Sequence, residues 1–203
     1  MEWTVMTLEL VKPALEYLPE YKAALERGWS PDNLRKAAAI REQLEKIAID
    51  PAAFVTALDD PDAKAGPITL PDGSTVPRLP GFHRWLWDGA FCGSIGFRWQ
   101  PGTAALPPYV SGHIGYAVVP WKRGRGYAKR ALALMLLEAR RTGLPFVQVT
   151  TDLDNAASQA VIRANGGLLV ERFSKPAALG GKEALRFHID LVNALSKRDR
   201  KER

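Results

Sequence analysis

The most chemically pointed stretch of the chain lies just past its middle. It reads His113-Ile114-Gly115-Tyr116-Ala117-Val118-Val119-Pro120-Trp121-Lys122-Arg123-Gly124-Arg125-Gly126-Tyr127-Ala128. An apolar, β-favouring run empties into a basic turn with two glycines, and the turn opens an alanine- and leucine-rich stretch. Such a turn between strand and helix suits an anion. The first amides of a helix have no intrahelical partner and lie at the positive end of its dipole. Glycines let the backbone curl around a bound anion, and guanidinium groups add charge-assisted hydrogen bonds. Lys122, Arg123, Arg125, Lys129 and Arg130 concentrate positive charge at this one place. Two familiar phosphate motifs do not fit. A dinucleotide fingerprint needs a third glycine where this chain has Lys129, and no G-x-x-x-x-G-K-[ST] occurs.

Other residues with chemical potential read as structural. Cys92 is the single cysteine, so no internal disulfide is available, and no His/Asp arrangement marks it as a nucleophile. The three histidines, His83, His113 and His188, do not have metal-ligand spacing, so no metal is expected. Trp85, Trp87, Phe97 and Trp99 alternate along two β-rich runs and read as core packing. The chain of 203 residues is 46% hydrophobic and 25% charged, which places it among ordinary globular proteins. Of the formal charge of +6, half comes from residues 197–203, which carry five basic and two acidic side chains and read as a solvated tail. Met1-Glu2-Trp3-Thr4 shows no basic leader, and no long apolar run follows anywhere, so a cytoplasmic protein without a membrane partner is expected.

The elements that must position the turn follow from periodicity. A first strand is expected within 3–11, helical residues over 13–27 with Pro19 kinking or splitting them, and a helix over 30–49 with Ser30 as N-cap and Pro31 at its first position. Leu34, Ala37, Ala38 and Leu44 mark its inward face. Asp50-Pro51 restarts a short helix to Leu58. Residues 59–81 are rich in proline and glycine and read as an irregular loop with a turn at Pro71-Asp72-Gly73. Runs 82–87, 91–99 and 112–119 form an antiparallel meander, the first two joined at Asp88-Gly89. Ala128, Ala131, Leu132, Met135, Leu136 and Ala139 then follow one helical face within 127–142. A strand at 146–151 completes a β-α-β unit with parallel outer strands. A short helix capped by Asp154 or Asn155, with stripe Ala157, Ala160, Val161 and Ala164, ends at Asn165-Gly166-Gly167. Strands at 168–173 and 184–191 finish the sheet. The division is one domain over 1–195 and the basic tail over 196–203.

With these elements in place, the turn resembles the [RQ]-x-x-G-x-[GA] signature of GNAT acetyltransferases, matched by Arg123, Gly126 and Ala128 after a strand ending Val118-Val119-Pro120. The resemblance continues through the helix, the next strand, and Asp154-Asn155-Ala156-Ala157-Ser158 leading to Asn165-Gly166-Gly167, about residues 112–173. It implies a mixed α/β fold: a mostly antiparallel central sheet, helices on both faces, and a C-terminal β-α-β unit that binds acetyl-CoA as co-substrate. By the same resemblance the CoA pyrophosphate lies on Arg123, Gly124, Arg125, Gly126, Tyr127 and Ala128. Val118 and Val119 contact pantetheine or the developing oxyanion, and Asn155 and Ser158 touch the CoA arm. Many members place a glutamate near the start of the strand entering the turn. His113 holds that place here, and with an ordinary pKa of about 6.5 it is the candidate general base for a primary amine acceptor.

One departure stands out. Where members often carry a tyrosine as proton donor, seven residues after the motif asparagine, this chain has Ile162, so the thiolate leaves unaided, takes its proton from water or the product, or is served by another tyrosine such as Tyr116. Two other readings share the same turn: a CoA-binding sensor without catalysis, and a nucleic-acid-binding protein recruited by the tail and the basic turn. The acceptor amine, and whether the chain forms a homodimer, are not legible in the sequence.

Overall fold

The computed structural model describes residues 7–70, 73–176 and 181–192. In chain order the elements are β1 (Glu9–Val11), α1 (Leu18–Glu26), α2 (Ala37–Ile49), α3 (Pro51–Ala57), β2 (Asp59–Asp60), β3 (Ile68–Thr69) and β4 (Thr75–Val76). There follow β5 (Gly81–Trp87), β6 (Phe91–Arg98), β7 (Ile114–Val118), α4 (Tyr127–Ala139), β8 (Phe146–Asp152), α5 (Ala156–Ala164), β9 (Leu168–Ser174) and β10 (Glu183–Asp190). The larger sheet has the order β1-β5-β6-β7, with β2 also paired to β5, and a second has the order β8-β10-β9. All of these pairings are antiparallel.

Two apolar cores hold the layers. One joins the sheets to α4 and α5 through Ile95, Phe97, Ile114, Leu132, Met135, Val147, Ile162 and Phe187. The other lies on the opposite face of the larger sheet, where α1, α2 and α3 cover it. Here Tyr21 stacks on Trp85 at 4.7 Å and meets Phe91 edge-on at 5.3 Å. Trp85 and Phe97 are almost wholly buried, in opposite cores. Both serve as packing, as their alternation predicts.

The N-terminal helices depart from expectation at their starts. Pro19 sits in the first turn of α1, where its missing N–H costs nothing, and so begins the helix instead of splitting it. Ser30 and Pro31 do not open α2. Asp32 takes the amides of Leu34 and Arg35, and Ser30 Oγ takes that of Asp32. These side chains satisfy the backbone in a turn that competes with helix, and α2 starts only at Ala37. Its buried residues are Ala39 and Ile47, whereas Leu34, Ala37 and Ala38 are exposed. Asp50 does cap α3, accepting from the Ala53 N–H at 2.9 Å. Within 59–81 the chain forms β2 and a β3–β4 hairpin; Pro71 and Asp72 of the expected turn lie outside the described residues. So does the basic tail. On α5 the buried residue is Ile162, not the expected alanine stripe.

The β-α-β unit is present, but its outer strands do not zip together. Beside β7 and β8, the amide of His113 donates to the carbonyl of Gln148 at 2.8 Å. The amide of Gln148 then turns to a side chain: it donates to Nδ1 of His113 at 2.9 Å. A parallel ladder would need a main-chain carbonyl there. The imidazole stands in for that carbonyl, and beyond it the two strands run on as members of separate sheets.

His113 is fully buried. Because Nδ1 accepts a hydrogen bond, the neutral ring carries its proton on Nε2, which has no partner among the described residues. Burial away from water pushes its pKa from the usual 6.5 down to about 4. His83 is lowered to about 4 as well, again chiefly by burial. A histidine whose folded pKa is depressed is protonated more readily in the unfolded chain. Its contribution to stability is therefore complete above about pH 6.5 and drains away as pH falls toward 4. Chemical denaturation between pH 7 and 4.5 should show this loss, and His113→Asn, whose amide oxygen can still accept from Gln148, should flatten part of it. An unaltered pH dependence in that variant would contradict the placement of the ring.

Candidate functional site

Where β7 and β8 part, a cavity of about 600 Å³ opens between them, walled by Ile114–Val118 on one side and 149–152 on the other. One mouth is the basic turn. A strand turned away from its neighbour presents unpaired main-chain groups, so the β7 wall can pair with an extended polar chain.

The turn itself is built in three steps. A 3-10 turn at Pro120–Lys122 ends β7, Gly124 and Gly126 take φ of +76° and +77°, and Gly126 becomes the N-cap of α4. Both glycines face open space, so the curled backbone leaves room for a ligand. The first helical bond runs from the Arg130 amide to the Gly126 carbonyl at 3.0 Å. The amides of Tyr127, Ala128 and Lys129 precede it and sit at the positive end of the α4 dipole. Arg123, Lys129 and Lys175 bring cations to the cavity wall. Shape and charge together suit this cradle to an anion.

Asp88, in the β5–β6 turn, braces the cradle at both ends. Its carboxylate receives Lys122 Nζ at 2.6 Å on one oxygen and the Tyr127 hydroxyl on the other. Partial burial opposes charge on Asp88, but these donors outweigh it and hold the carboxyl below its usual range. Lys122 is thereby committed to the scaffold, while Arg123 is aimed by donating from Nε to the Val118 carbonyl at 3.3 Å.

Of the residues expected in the site, Val118, Arg123, Gly124, Gly126, Tyr127 and Ala128 line the cavity, as do Asn155 and Ser158. Asn155 caps α5 by accepting from the Ser158 amide at 3.0 Å, which fixes the second motif against the first. Arg125 is exposed beside the cavity, not in its lining. Val119 is buried with its amide bonded to the Cys92 carbonyl, so its backbone serves the sheet. His113 lies behind the cavity, at the point where the strands part.

The fold brings further residues to the cavity wall. Tyr116 projects its hydroxyl to within 2.9 Å of Ser158 Oγ across the cavity wall. Burial raises its pKa, so the phenol stays protonated. Asn33 arrives from the α1–α2 connection, and Lys175, paired with Asp152, from the end of β9. Only the folded chain brings them in. Ile162, by contrast, is fully buried in the core. Cys92 is also fully buried, and burial above all pushes its thiol up to about 12, which makes it structural. Among the described residues no group of three or more His, Cys, Asp or Glu is placed to hold a metal, and no helix is long and apolar enough to cross a membrane.

Comparison with known proteins agrees with this geometry. Residues 74–167 match the model of the acetyltransferase (GNAT) domain family. No curated protein sequence matches the chain. Among solved structures, the chain superimposes on the ribosomal L7/L12 α-N-protein acetyltransferase RimL in complex with coenzyme A, with a TM-score of 0.61 and 18% identity over 91% of this chain and 94% of that one. It also superimposes on the microcin C7 self-immunity acetyltransferase MccE in complex with acetyl-CoA and AMP, with a TM-score of 0.59 and 15% identity over 90% and 92% of the two chains. A third is YncA of Salmonella typhimurium with acetyl-CoA, with a TM-score of 0.53 and 14% identity over 93% and 95%. With the splayed strands, the basic turn and the capped second helix all in place, residues 74–167 match the GNAT acetyltransferase domain model within a chain that has the fold of GNAT acetyltransferases.

Proposed function

We propose that this protein transfers the acetyl group of acetyl-CoA to a primary amine by direct attack within a ternary complex. The observation that carries the reading is the cavity between β7 and β8, closed at one end by the cationic turn. A diphosphate suits the turn and an extended amide-bearing arm suits the parted strand. Arg123, Lys129 and the first amides of α4 would hold the diphosphate, and Val118 and its neighbours on β7 the pantetheine amides. Bound acetyl-CoA supplies an activated thioester; the residues described here bind and orient it.

Chemistry then needs three things: a neutral amine, a polarised carbonyl and a proton for the departing sulfur. Orientation does most of the work, since holding amine and thioester in line contributes about 7–11 kcal/mol through entropy settled on binding. A backbone donor of β7 at the developing oxyanion adds about 3 kcal/mol. With Ile162 lacking a hydroxyl, the cavity wall offers two phenols: Tyr127 is committed to Asp88, whereas Tyr116 is kept protonated by burial and oriented by Ser158. We assign it as the donor to the thiolate. His113 fits a different role from that of base. Its accepting nitrogen already binds the Gln148 amide, and it holds the strands apart.

Following free thiol while the protein turns over acetyl-CoA with a panel of amines tests the reaction; release that depends on an amine is expected, and none with any acceptor would refute it. Arg123→Ala should weaken CoA binding by calorimetry about 10- to 100-fold, the worth of one charge-assisted hydrogen bond. Tyr116→Phe should leave that affinity within a few-fold while lowering kcat about 10²-fold. Equal losses in both quantities would instead place Tyr116 in donor binding.

A further inference from the structure

On the face of the larger sheet shared with α1 and α2, a second cavity of about 230 Å³ lies beside β5 and β6. Its floor is unusually bare. His83, Gly96 and Gly115 are register partners across β5, β6 and β7, so two of the three positions in that row have no side chain. The bareness at Gly96 is required: a Cβ there would lie 2.8 Å from both Cδ2 and Nε2 of His83, whose ring rests on the strand. Gly115 is exposed, and the nearest atom to the place its Cβ would take is Nη2 of Arg98, at 4.0 Å. An imidazole edge and a guanidinium thus sit over neighbouring glycines whose Cα atoms are roughly 4.5–5.5 Å apart. Gly115 also lines the cavity between β7 and β8, so this row leads to the parted strand.

The two groups are presented for binding. Nδ1 of His83 lies 3.3 Å from the Leu58 carbonyl, which can only accept, so it carries the proton and leaves the Nε2 lone pair free. The guanidinium of Arg98 has no hydrogen bond and no ion pair among the described residues; the acidic group that acts on it is Asp32, at longer range and already bonded to Arg35. The other ionic groups of the pocket are committed: Arg78 donates to the Gly66 carbonyl, and Asp60 accepts the amides of Lys64 and Ala65.

We propose that this pocket is the acceptor site and that it takes an amine bearing a carboxylate, such as an α-amino acid, with the carboxylate on Arg98 and the amino group donating to Nε2 of His83. The inference rests on the acetyl-transfer reading. An ammonium ion must lose a proton before it can attack. That proton passes to Nε2 of His83 and on to water, the freed nitrogen lone pair forms the C–N bond, the C–S bond breaks with its electron pair going to sulfur, Tyr116 gives its proton to that sulfur, and the second proton lost by the new amide nitrogen restores the Tyr116 phenol through water. Arg98 assists, because a nearby cation favours the neutral amine. Burial first, and Arg98 next, hold His83 down at about 4, so its lone pair is available at neutral pH. A substrate carboxylate on Arg98 offsets the second of these influences and strengthens His83 as an acceptor only when the substrate is in place.

The test uses the full chain and three pairs of acceptors: alanine, leucine and phenylalanine, each with its α-carboxamide. The wild type should favour at least one free acid over its amide by 10-fold or more in kcat/KM. Arg98→Gln should erase that preference, lowering turnover of the acids at least 10-fold more than that of the amides and leaving the calorimetric Kd for acetyl-CoA unchanged, and Arg98→Lys should restore part of it. His83→Gln should lower kcat and remove the acidic limb of the pH–rate profile. Turnover of amides as fast as acids, turnover only of amines without a carboxylate, or a preference that survives Arg98→Gln would overturn the proposal while acetyl transfer stands. Absence of both acetyl-CoA binding and thiol release would overturn the two together.

Discussion

Two strands joined by a helical crossover ordinarily pair along their whole length, because every unpaired amide and carbonyl between them would otherwise need another partner. In this protein the amide of Gln148 finds its partner in a side chain, and the pairing of β7 with β8 stops after one main-chain bond. The cavity opens beyond that interruption. The opening between the strands exists because one imidazole takes the place of a carbonyl, and it can take that place only while uncharged. The ring is buried beside an unpartnered Nε2, which disfavours the cation there.

The second organising device is the way distant turns share one carboxylate. Asp88 belongs to the hairpin between β5 and β6, yet it meets Lys122 and Tyr127 on either side of the glycine-bearing turn. The curvature of that turn is held from the neighbouring connection of the same sheet, which leaves its own arginines and leading amides available. Rigid support and free donors are thereby assigned to different residues, as a preorganised anion site requires.

Much of this was legible in the sequence, and for local reasons. The turn, the helix after it and the Asn155 cap are written in contiguous residues whose chemistry does not depend on the rest of the chain. The β5–β6–β7 meander follows from alternation and tight turns. What failed to read locally was decided by competition or by long-range contact. Ser30 and Pro31 look like a helix start, but Asp32 offers the same amides a turn, and α2 waits until Ala37. The inward face of α5 belongs to Ile162 because the core is deepest there, not because the small residues beside it repeat regularly. His113 stands beside the strand that enters the turn, and the group that takes its Nδ1 is the amide of Gln148, 35 positions away. Tyr116, Asn33 and Lys175 reach the cavity from three separate elements, and no spacing rule connects them.

The burial of Cys92 has a practical side. The only sulfhydryl in the chain is shut inside the sheet and held in its protonated, unreactive form, so reagents that colour or fluoresce on meeting a thiolate have nothing to label on the native protein. In a thiol-release measurement with acetyl-CoA, the native protein itself therefore adds no background.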